Sequence, residues 1–426
     1  MNRRAGRAAV VGVVAGAALL AMPEAASAGP PGGSVEVGID GNFDFDGEPG
    51  VANRVVVTKV GTTLTLDDTH TVEIITGCVY PDAADDTFVQ CTVAVASPDV
   101  HVEPGDMNDT VTVIGGGSVN WLIGPGPGND VVDLTGVDGS SSNVAGGTGN
   151  DTITGSTYGE WIDGDDGFDT ISYAGRAAAV TVDLAAGDGG TGTEHDDLIS
   201  IEGATGGDGA DTLTGDAAMN ILAGGPNNDT LSGAGEADTL IGGTGTDVML
   251  GGSGSDLGSY AGHTVGVTAT LDGAPNDGAP GENDQIGIDV ERLGGGLKSD
   301  NLSGNSLNNT LYGDIVPTNG VLYPLSYGSA DVLTTNGGGD TVYARGGDDT
   351  VYGATGVDVV HGGYGNDTVY GGSSADGLYG EQGADTLYGD AGQDALDGGT
   401  ETDWCHAGAD GAVKTACEYP LIFLPL

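Results

Sequence analysis

Aspartate recurs at every ninth residue over long parts of this chain. The longest array contains nine aspartates: Asp331, Asp340, Asp349, Asp358, Asp367, Asp376, Asp385, Asp394 and Asp403. A second array runs through Asp211, Asn220, Asp229, Asp238, Asp247 and Asp256, and a shorter one through Asp151, Glu160 and Asp169. Asp109, Asp130 and Asp300 lie outside these arrays in similar surroundings. A fixed period held this long predicts a repeat architecture built from one small structural unit.

Each repeat is predicted to combine a turn with a short strand. The aspartates lie in the pattern G-G-x-G-x-D-x-U-x, where U is apolar, as in residues 146–153 and 362–369. Glycine permits the positive φ of a tight turn, and side chains along the following strand point alternately inward and outward. The residues predicted to point inward are Ile153, Ile171, Leu213, Leu231, Leu240, Met249, Val342, Val351, Val360, Val369, Leu378, Leu387 and Leu396.

Two repeats are predicted to form one coil of 18 residues, because each turn reverses the chain. Successive coils then stack as parallel strands about 4.8 Å apart, which makes residues i and i+18 neighbours. Eleven aspartate pairs have this spacing, from 151–169 to 385–403. Carboxylates brought so close repel one another unless a proton or a cation lies between them. Six to eight flexible oxygen ligands favour Ca²⁺ over Mg²⁺.

The predicted Ca²⁺ ligands are the repeat aspartates. They are Asp130, Asp151, Asp169, Asp211, Asp229, Asp238, Asp247, Asp256, Asp331, Asp340, Asp349, Asp358, Asp367, Asp376, Asp385, Asp394 and Asp403.

These motifs closely resemble the RTX (hemolysin-type) calcium-binding nonapeptide-repeat family. The resemblance covers most of residues 105–404, with two interruptions. It implies an all-β fold, a right-handed parallel β-roll or β-solenoid, which binds several Ca²⁺ ions and becomes ordered when it meets extracellular calcium.

The composition is consistent with folding coupled to cation binding. Asp and Glu number 63 against 10 Lys and Arg, for a net charge of −53, so nucleic acid is not an expected partner. Glycine contributes 83 residues and aromatics only 5%, which leaves little material for a large core. Without residues 1–28, a predicted signal peptide that contains Arg3, Arg4, Arg7 and Glu24, the net charge is −55, and eleven divalent ions would reduce it to −33. The chain without calcium is expected to be largely disordered.

The N-terminal residues and the cysteines predict an exported protein. Arg3, Arg4 and Arg7, an apolar stretch and the small residues before Gly29 predict a signal peptide cleaved after Ala28. No later stretch is apolar for the roughly 18 residues of a membrane span. We therefore predict a secreted protein. Its four cysteines are expected to form two disulfides, most simply between neighbours in sequence, although three connectivities are open.

The predicted organisation has eight parts. They are a signal peptide (1–28), a β-rich N-terminal cap (29–104), a first repeat segment (105–172), an insert (173–205), a second array (206–258), a duplicate insert (259–299), a third array (300–404) and a C-terminal cap (405–426). Both inserts begin with Ser-Tyr-Ala-Gly and are predicted to be hairpin-like splices that rejoin the repeat. Their acidic loops either add a calcium ligand or are simply solvated.

Three functional hypotheses follow. The first is a calcium-binding structural, surface-associated or adhesive protein, whose partners include calcium and, as a further hypothesis, surface or matrix polysaccharide. The second is an enzyme with an active site in residues 29–123 or the inserts, and the third is a toxin-like effector. No His-Glu-x-x-His or Gly-x-Ser-x-Gly motif occurs, and identical periodic aspartates suit ion binding better than catalysis, which needs one distinct site. The first hypothesis is preferred, and no enzyme is predicted.

Overall fold

The structure is a computed structural model that describes residues 33–38, 42–70, 72–93, 97–315 and 328–418. The predicted signal peptide and its cleavage site lie outside the described residues, as does the apolar C-terminal tail. Every regular element in the described residues is a β-strand, which confirms the all-β fold class. No helix in these ranges is long and apolar enough to cross a membrane.

The described residues form 42 strands, here β1 to β42. Those before the first predicted repeat segment are β1 (Gly33–Val37), β2 (Phe43–Gly47), β3 (Arg54–Val60), β4 (Thr63–Asp67), β5 (Val72–Thr76), β6 (Cys78–Val79), β7 (Phe88–Thr92) and β8 (Asp99–Glu103). The first repeat segment contains β9 (Thr110–Gly116), β10 (Asn120–Ile123), β11 (Gly126–Pro127), β12 (Val131–Asp138), β13 (Ser142–Thr148), β14 (Thr152–Thr154), β15 (Trp161–Asp166) and β16 (Thr170–Ser172).

The first insert and second array contain β17 (Thr181–Asp183), β18 (Asp188–Gly190), β19 (Asp196–Ile199), β20 (Gly203–Thr205), β21 (Thr212–Thr214), β22 (Ile221–Pro226), β23 (Thr230–Gly235), β24 (Thr239–Thr244), β25 (Val248–Ser253) and β26 (Leu257–Ser259). The second insert contains β27 (Thr268–Thr270), β28 (Pro275–Asp277), β29 (Asp284–Ile286) and β30 (Arg292–Gly294).

The third array and C-terminal part contain β31 (Asn301–Ser303), β32 (Thr310–Tyr312), β33 (Val332–Thr334), β34 (Thr341–Gly346), β35 (Thr350–Tyr352), β36 (Val359–Tyr364), β37 (Thr368–Tyr370), β38 (Gly377–Gln382), β39 (Thr386–Tyr388), β40 (Asp394–Asp397), β41 (Trp404–His406) and β42 (Ala412–Thr415).

Within the arrays the chain coils with the predicted period of 18 residues. Strand β21 pairs in parallel with β23, and β23 with β25, so that Leu213, Leu231 and Met249 lie side by side. In the third array Val351, Val369 and Leu387 align in the same way. Consecutive strands alternate between two faces: β21, β23 and β25 share one sheet, and β22, β24 and β26 share another. Two strands therefore make one coil, as the sequence predicts.

One of the two faces runs unbroken through the arrays, and the other is divided. The continuous sheet includes β9, β12, β14, β16 and every second strand from β20 to β42 except β28. At the second insert it stays continuous because β26 pairs with both β24 and β30. The opposite face consists of a sheet that ends at β28 and a separate sheet that begins at β27. Between those two sheets the backbone makes one antiparallel bridge, Thr268 with Gly278.

The stacking continues into the N-terminal part with longer coils. Thr110, Val131 and Thr152 align across β9, β12 and β14, a period of 21 residues. Strand β3 pairs in parallel with β9, and β2 with β8, before antiparallel pairs such as β3–β4 and β1–β2 close the N-terminal side. The predicted β-strands of this region are confirmed. The exact domain boundaries stay predictions.

Each insert is a short meander between coils. In the first insert β17, β18 and β19 pair antiparallel in succession, and the outer two also pair in parallel with β21 and β15. In the second insert β28 and β29 pair antiparallel. Both rejoin the stack, which confirms the hairpin-like splice.

The core is a narrow column of side chains between the faces. All thirteen apolar residues predicted to point inward are buried, each with at most 1% of its surface exposed. The disulfides Cys78–Cys91 and Cys405–Cys417 form as expected: the first links β6 to β7, and the second links β41 to the segment after β42. A core this thin needs further stabilisation from the turns.

Candidate metal centre

The predicted ligand aspartates lie in turns just before a strand, or, for Asp394, at the first residue of one, and are buried in the stack. Each of the seventeen exposes at most 3% of its surface. Glycines at the first, second and fourth repeat positions permit this arrangement, because they bring main-chain oxygens of adjacent coils within reach. Buried carboxylates require hydrogen-bond donors or a cation.

One oxygen of each paired aspartate is satisfied by the protein. In all eleven pairs predicted from the 18-residue spacing, Oδ1 of the later aspartate accepts the main-chain N–H of the earlier one, at 2.7–3.1 Å. The aspartates therefore form two columns, one at each side of the stack, which we term the aspartate ladders. Asp130 belongs to one of these ladders through a longer coil of 21 residues, because Oδ1 of Asp151 accepts its N–H at 2.8 Å.

The other oxygen has no donor. Oδ2 is buried without a hydrogen-bond partner in sixteen of the seventeen predicted ligands. Asp211 differs, because its Oδ2 accepts the N–H of Gly207 at 2.5 Å. A column of buried, unsatisfied carboxylate oxygens is a strong indication of cation sites.

The space beside Oδ2 fits a cation and is kept open by glycine. A Cβ added to Gly224 would lie 2.5 Å from Oδ2 of Asp229 and 2.7 Å from the carbonyl oxygen of Gly242, one coil on. A Cβ on Gly242 would likewise lie 2.6 Å from Oδ2 of Asp247. Calcium–oxygen distances are about 2.3–2.6 Å. In most turns of the arrays a carboxylate and a main-chain carbonyl oxygen therefore surround a space that no side chain fills. The turns of Asp340 and Asp349 differ, because the buried Thr335 and Ala344 replace the first glycine.

Burial makes the charged form of these carboxyls costly. It raises the pKa of Asp247 and Asp367 to about 7, of Asp349 to about 8 and of Asp331 to about 9. Main-chain N–H groups lower these pKa values in part, and neighbouring carboxylates raise them. At neutral pH the turns are therefore neutralised either by protons or by bound cations.

Two turns of the ladders carry asparagine and need no cation. The side-chain amide of Asn220 donates to the carbonyl oxygen of Glu202 at 3.1 Å, and that of Asn309 donates to the carbonyl oxygen of Glu291 at 3.4 Å. The amide thus occupies the role that an ion would have between two coils.

Several ladder members were not identified from the sequence. Asp196 and Asp284, in the acidic loops of the inserts, are buried, and their Oδ1 atoms accept the N–H groups of Glu160 and Asp247. Glutamate takes the ladder position at Glu202, Glu291 and Glu418, which accept the N–H groups of Asp169, Asp256 and Asp403. The inserts interrupt the nine-residue period, so the period does not mark these acidic residues. Most of them are nevertheless followed, two positions later, by an apolar residue, and this signal could have identified them.

Two rows of aromatic side chains lie on the outer faces. Tyr352, Tyr370, Tyr388 and His406 stack with ring centroids 4.8–5.1 Å apart, and Tyr312, Tyr343, His361 and Tyr379 stack at 5.0–5.5 Å on the other face. Cross-strand stacking explains these rows and leaves mainly ring edges open to solvent.

Comparison with known proteins identifies the repeats. The chain matches the family model described as RTX calcium-binding nonapeptide repeat (4 copies) over residues 204–231, 223–257, 327–360, 352–387 and 375–405. No curated protein matches the chain. The matched residues fall in the second and third arrays, where the 18-residue coils are most regular.

Proposed function

Because the chain contains RTX calcium-binding nonapeptide repeats, we propose that it is a secreted protein that binds several Ca²⁺ ions between its coils and folds as it binds them. Its role is structural, at a cell surface or in an extracellular matrix. The observation that carries this proposal is the column of buried Oδ2 atoms without donors. We assign no catalysis to the chain, and the absence of an enzymatic activity stays a prediction.

The proposed ligands are the ladder aspartates and the main-chain oxygens beside them. Oδ2 and carbonyl oxygens would hold the ion, while Oδ1 stays bonded to the preceding coil and fixes the carboxylate. The bound ion supplies positive charge where the buried carboxylates lack donors. Asp211 is a weaker candidate than the others because an N–H group already occupies its Oδ2.

Secretion is supported by two features. The two disulfides are typical of proteins that fold in an oxidising compartment. Residues 1–28 have the composition of a signal peptide. Free calcium is abundant outside cells, so a chain that folds on binding would become ordered only after export.

The proposal includes adhesion to polysaccharide as a further use of the surface. The faces of the roll carry exposed tyrosines, including Tyr343, Tyr352 and Tyr379. Their rings stack on one another, so sugar contacts would be limited to ring edges and to the ends of the rows. The structural role does not depend on such binding.

The test is a titration of the mature chain, starting at Gly29, with Ca²⁺. We expect far-UV circular dichroism to change from a disordered to a β spectrum, to revert with EDTA, and to stay unchanged with equal Mg²⁺. Isothermal titration calorimetry gives the number of ions. A chain that keeps its full β spectrum after chelation and takes up no calcium would contradict the proposal.

A further inference from the structure

A second kind of acidic site lies in the first insert. One oxygen each from Glu160, Glu194 and Asp196 come together so that all lie within 4.8 Å of one another. Two ligands on opposite sides of a calcium ion, each about 2.4 Å away, are separated by about 4.8 Å. We propose that these three residues, here termed the insert cluster, bind one further Ca²⁺ ion.

An unsatisfied atom points to a ligand in the insert cluster. Glu160 exposes only 3% of its surface, and its Oε2 is buried without a hydrogen-bond partner. Its other oxygen accepts the hydroxyl of Ser156, while Tyr173 donates its hydroxyl to Oδ2 of Asp196 at 2.7 Å. The two hydroxyls therefore serve the neighbouring oxygens, and Oε2 of Glu160 has no donor. Nη2 of Arg176 is likewise buried without a hydrogen-bond partner.

The charges of the cluster leave room for one divalent ion. Arg176 donates to both carboxylate oxygens of Glu194, at 2.6 and 2.7 Å, and its guanidinium lies 4.5 Å from the centre of the Tyr173 ring. Three carboxylates and one guanidinium give a formal charge of −2 in a buried space. A calcium ion brings this charge to zero, and the all-oxygen donor set suits a hard cation.

This arrangement differs from the repeat turns. In most array turns, a Cβ on the first glycine of the repeat would meet Oδ2 of the following aspartate and a carbonyl oxygen. At Gly155, the corresponding glycine for Glu160, the nearest atom is instead Nη2 of Arg176 at 3.1 Å, with Oδ2 of Asp196 at 3.8 Å. The guanidinium thus takes part of the space that is open in other turns, and Glu194, supplied by the insert, adds a third carboxylate.

The second insert provides a natural contrast. His263 stands where the first insert has Arg176, and its Nε2 lies 3.3 Å from Oε2 of Glu282. Within the described ranges, the insert cluster is the one group of three acidic, histidine or cysteine side chains with this mutual spacing. Glu282 is therefore a matched control for Glu194.

The experiment counts the calcium ions bound to the mature chain. The inference rests on the proposed function only for the identity of the ion. Equilibrium dialysis with ⁴⁵Ca²⁺ at saturation is compared for wild type, Glu160→Gln, Glu194→Gln and the control Glu282→Gln. We expect both cluster variants to bind one ion fewer than wild type, and the control to bind the wild-type number. Circular dichroism in Ca²⁺ selects variants that retain the β spectrum.

The outcomes separate the two proposals. If a folded cluster variant binds the wild-type number of ions, the insert cluster is neutralised by protons and the inference is wrong. Glu194→Gln decides the question if Glu160→Gln fails to fold, because it leaves the bond between Asp196 and the N–H of Glu160 intact. If wild type binds no calcium, the proposed function itself fails.

Discussion

Replacing Asp367 with asparagine tests whether the ladders work through their charge or only through hydrogen bonds. Asp367 lies in the middle of the third array, where its Oδ1 accepts the N–H of Asp349 and its own N–H donates to Asp385, both at 2.8 Å. Asparagine retains the shape and the accepting oxygen. Asn220 and Asn309 show that an amide fits this position: there Nδ2 donates to a carbonyl oxygen of the coil before it, and Oδ1 accepts an N–H of its own turn.

The expected effect has opposite signs with and without calcium. An ion present at 100 times its Kd contributes about 2.7 kcal/mol to stability. Asp367 faces two neighbouring aspartates, so the variant weakens one or two ion sites and should lose about 3–5 kcal/mol in saturating calcium. Without calcium the variant removes a buried carboxyl whose pKa burial raises to about 7, and it can gain a hydrogen bond of about 1 kcal/mol.

The assay in excess calcium at pH 7.5 is guanidinium unfolding followed by circular dichroism. In EDTA, where wild type is expected to be largely disordered, the measurement is the β-structure that remains by circular dichroism at the same pH. The matched control is Asp348→Asn, which makes the same charge change at an exposed position in the preceding coil. We expect the control to lie within about 0.5 kcal/mol of wild type in calcium. A variant as stable as wild type in saturating calcium would refute the argument, because the ladder would then act through hydrogen bonds alone.

Four further predictions follow from the structure. In EDTA, lowering the pH from about 7 to about 4 should increase β-structure, because burial raises the pKa of Asp247 and of its neighbour Asp229 to about 7 in the folded roll. The folded state therefore gains stability as the pH falls from this value towards the lower pKa of the unfolded chain, and loses it as the pH rises; an unchanged circular dichroism spectrum over this range would contradict this. Leu240→Ala should cost about 2–5 kcal/mol in calcium, whereas Leu250→Ala, at a partly exposed position, should cost far less, as measured by guanidinium unfolding. Ala354→Gly should stabilise by about 1 kcal/mol, seen as a raised Tm, since φ of Ala354 is 61°. Tyr370→Ala should lose about 1–3 kcal/mol from its two stacks, and a double-mutant cycle with Tyr388 should give a coupling of about 0.5–1.5 kcal/mol; additivity would exclude stacking.

The nonapeptide arrays could be predicted almost completely from the sequence. The 18-residue coil, the inward position of Leu231 or Val369, and all eleven aspartate contacts follow from the period of nine. This works because each repeat contains its own turn and its own core residue, so local pattern and global stacking agree.

The inserts and the N-terminal coils could not be predicted in the same way. Asp196 and Asp284 enter the ladder after loops of different length, so no fixed spacing marks them. Asp109 and Asp130 stack through 21-residue coils, whose three additional residues move them out of the register of nine. In β2 and β3 the stacking depends on alternating apolar residues without the glycine pattern, and such alternation does not specify which strands pair.

The single bridge between Thr268 and Gly278 has a mechanical consequence for the whole molecule. On one face, β24, β26 and β30 pair continuously from the second array to the third. On the other face the junction is crossed by two main-chain hydrogen bonds between Thr268 and Gly278, and by the bonds that the N–H and hydroxyl of Thr270 donate to Oδ1 of Asp277. A rod joined strongly along one side and weakly along the other bends about its strong side. We therefore expect the second insert to act as an elbow, at which the stiff N-terminal and C-terminal segments change direction while their ion-binding turns stay intact.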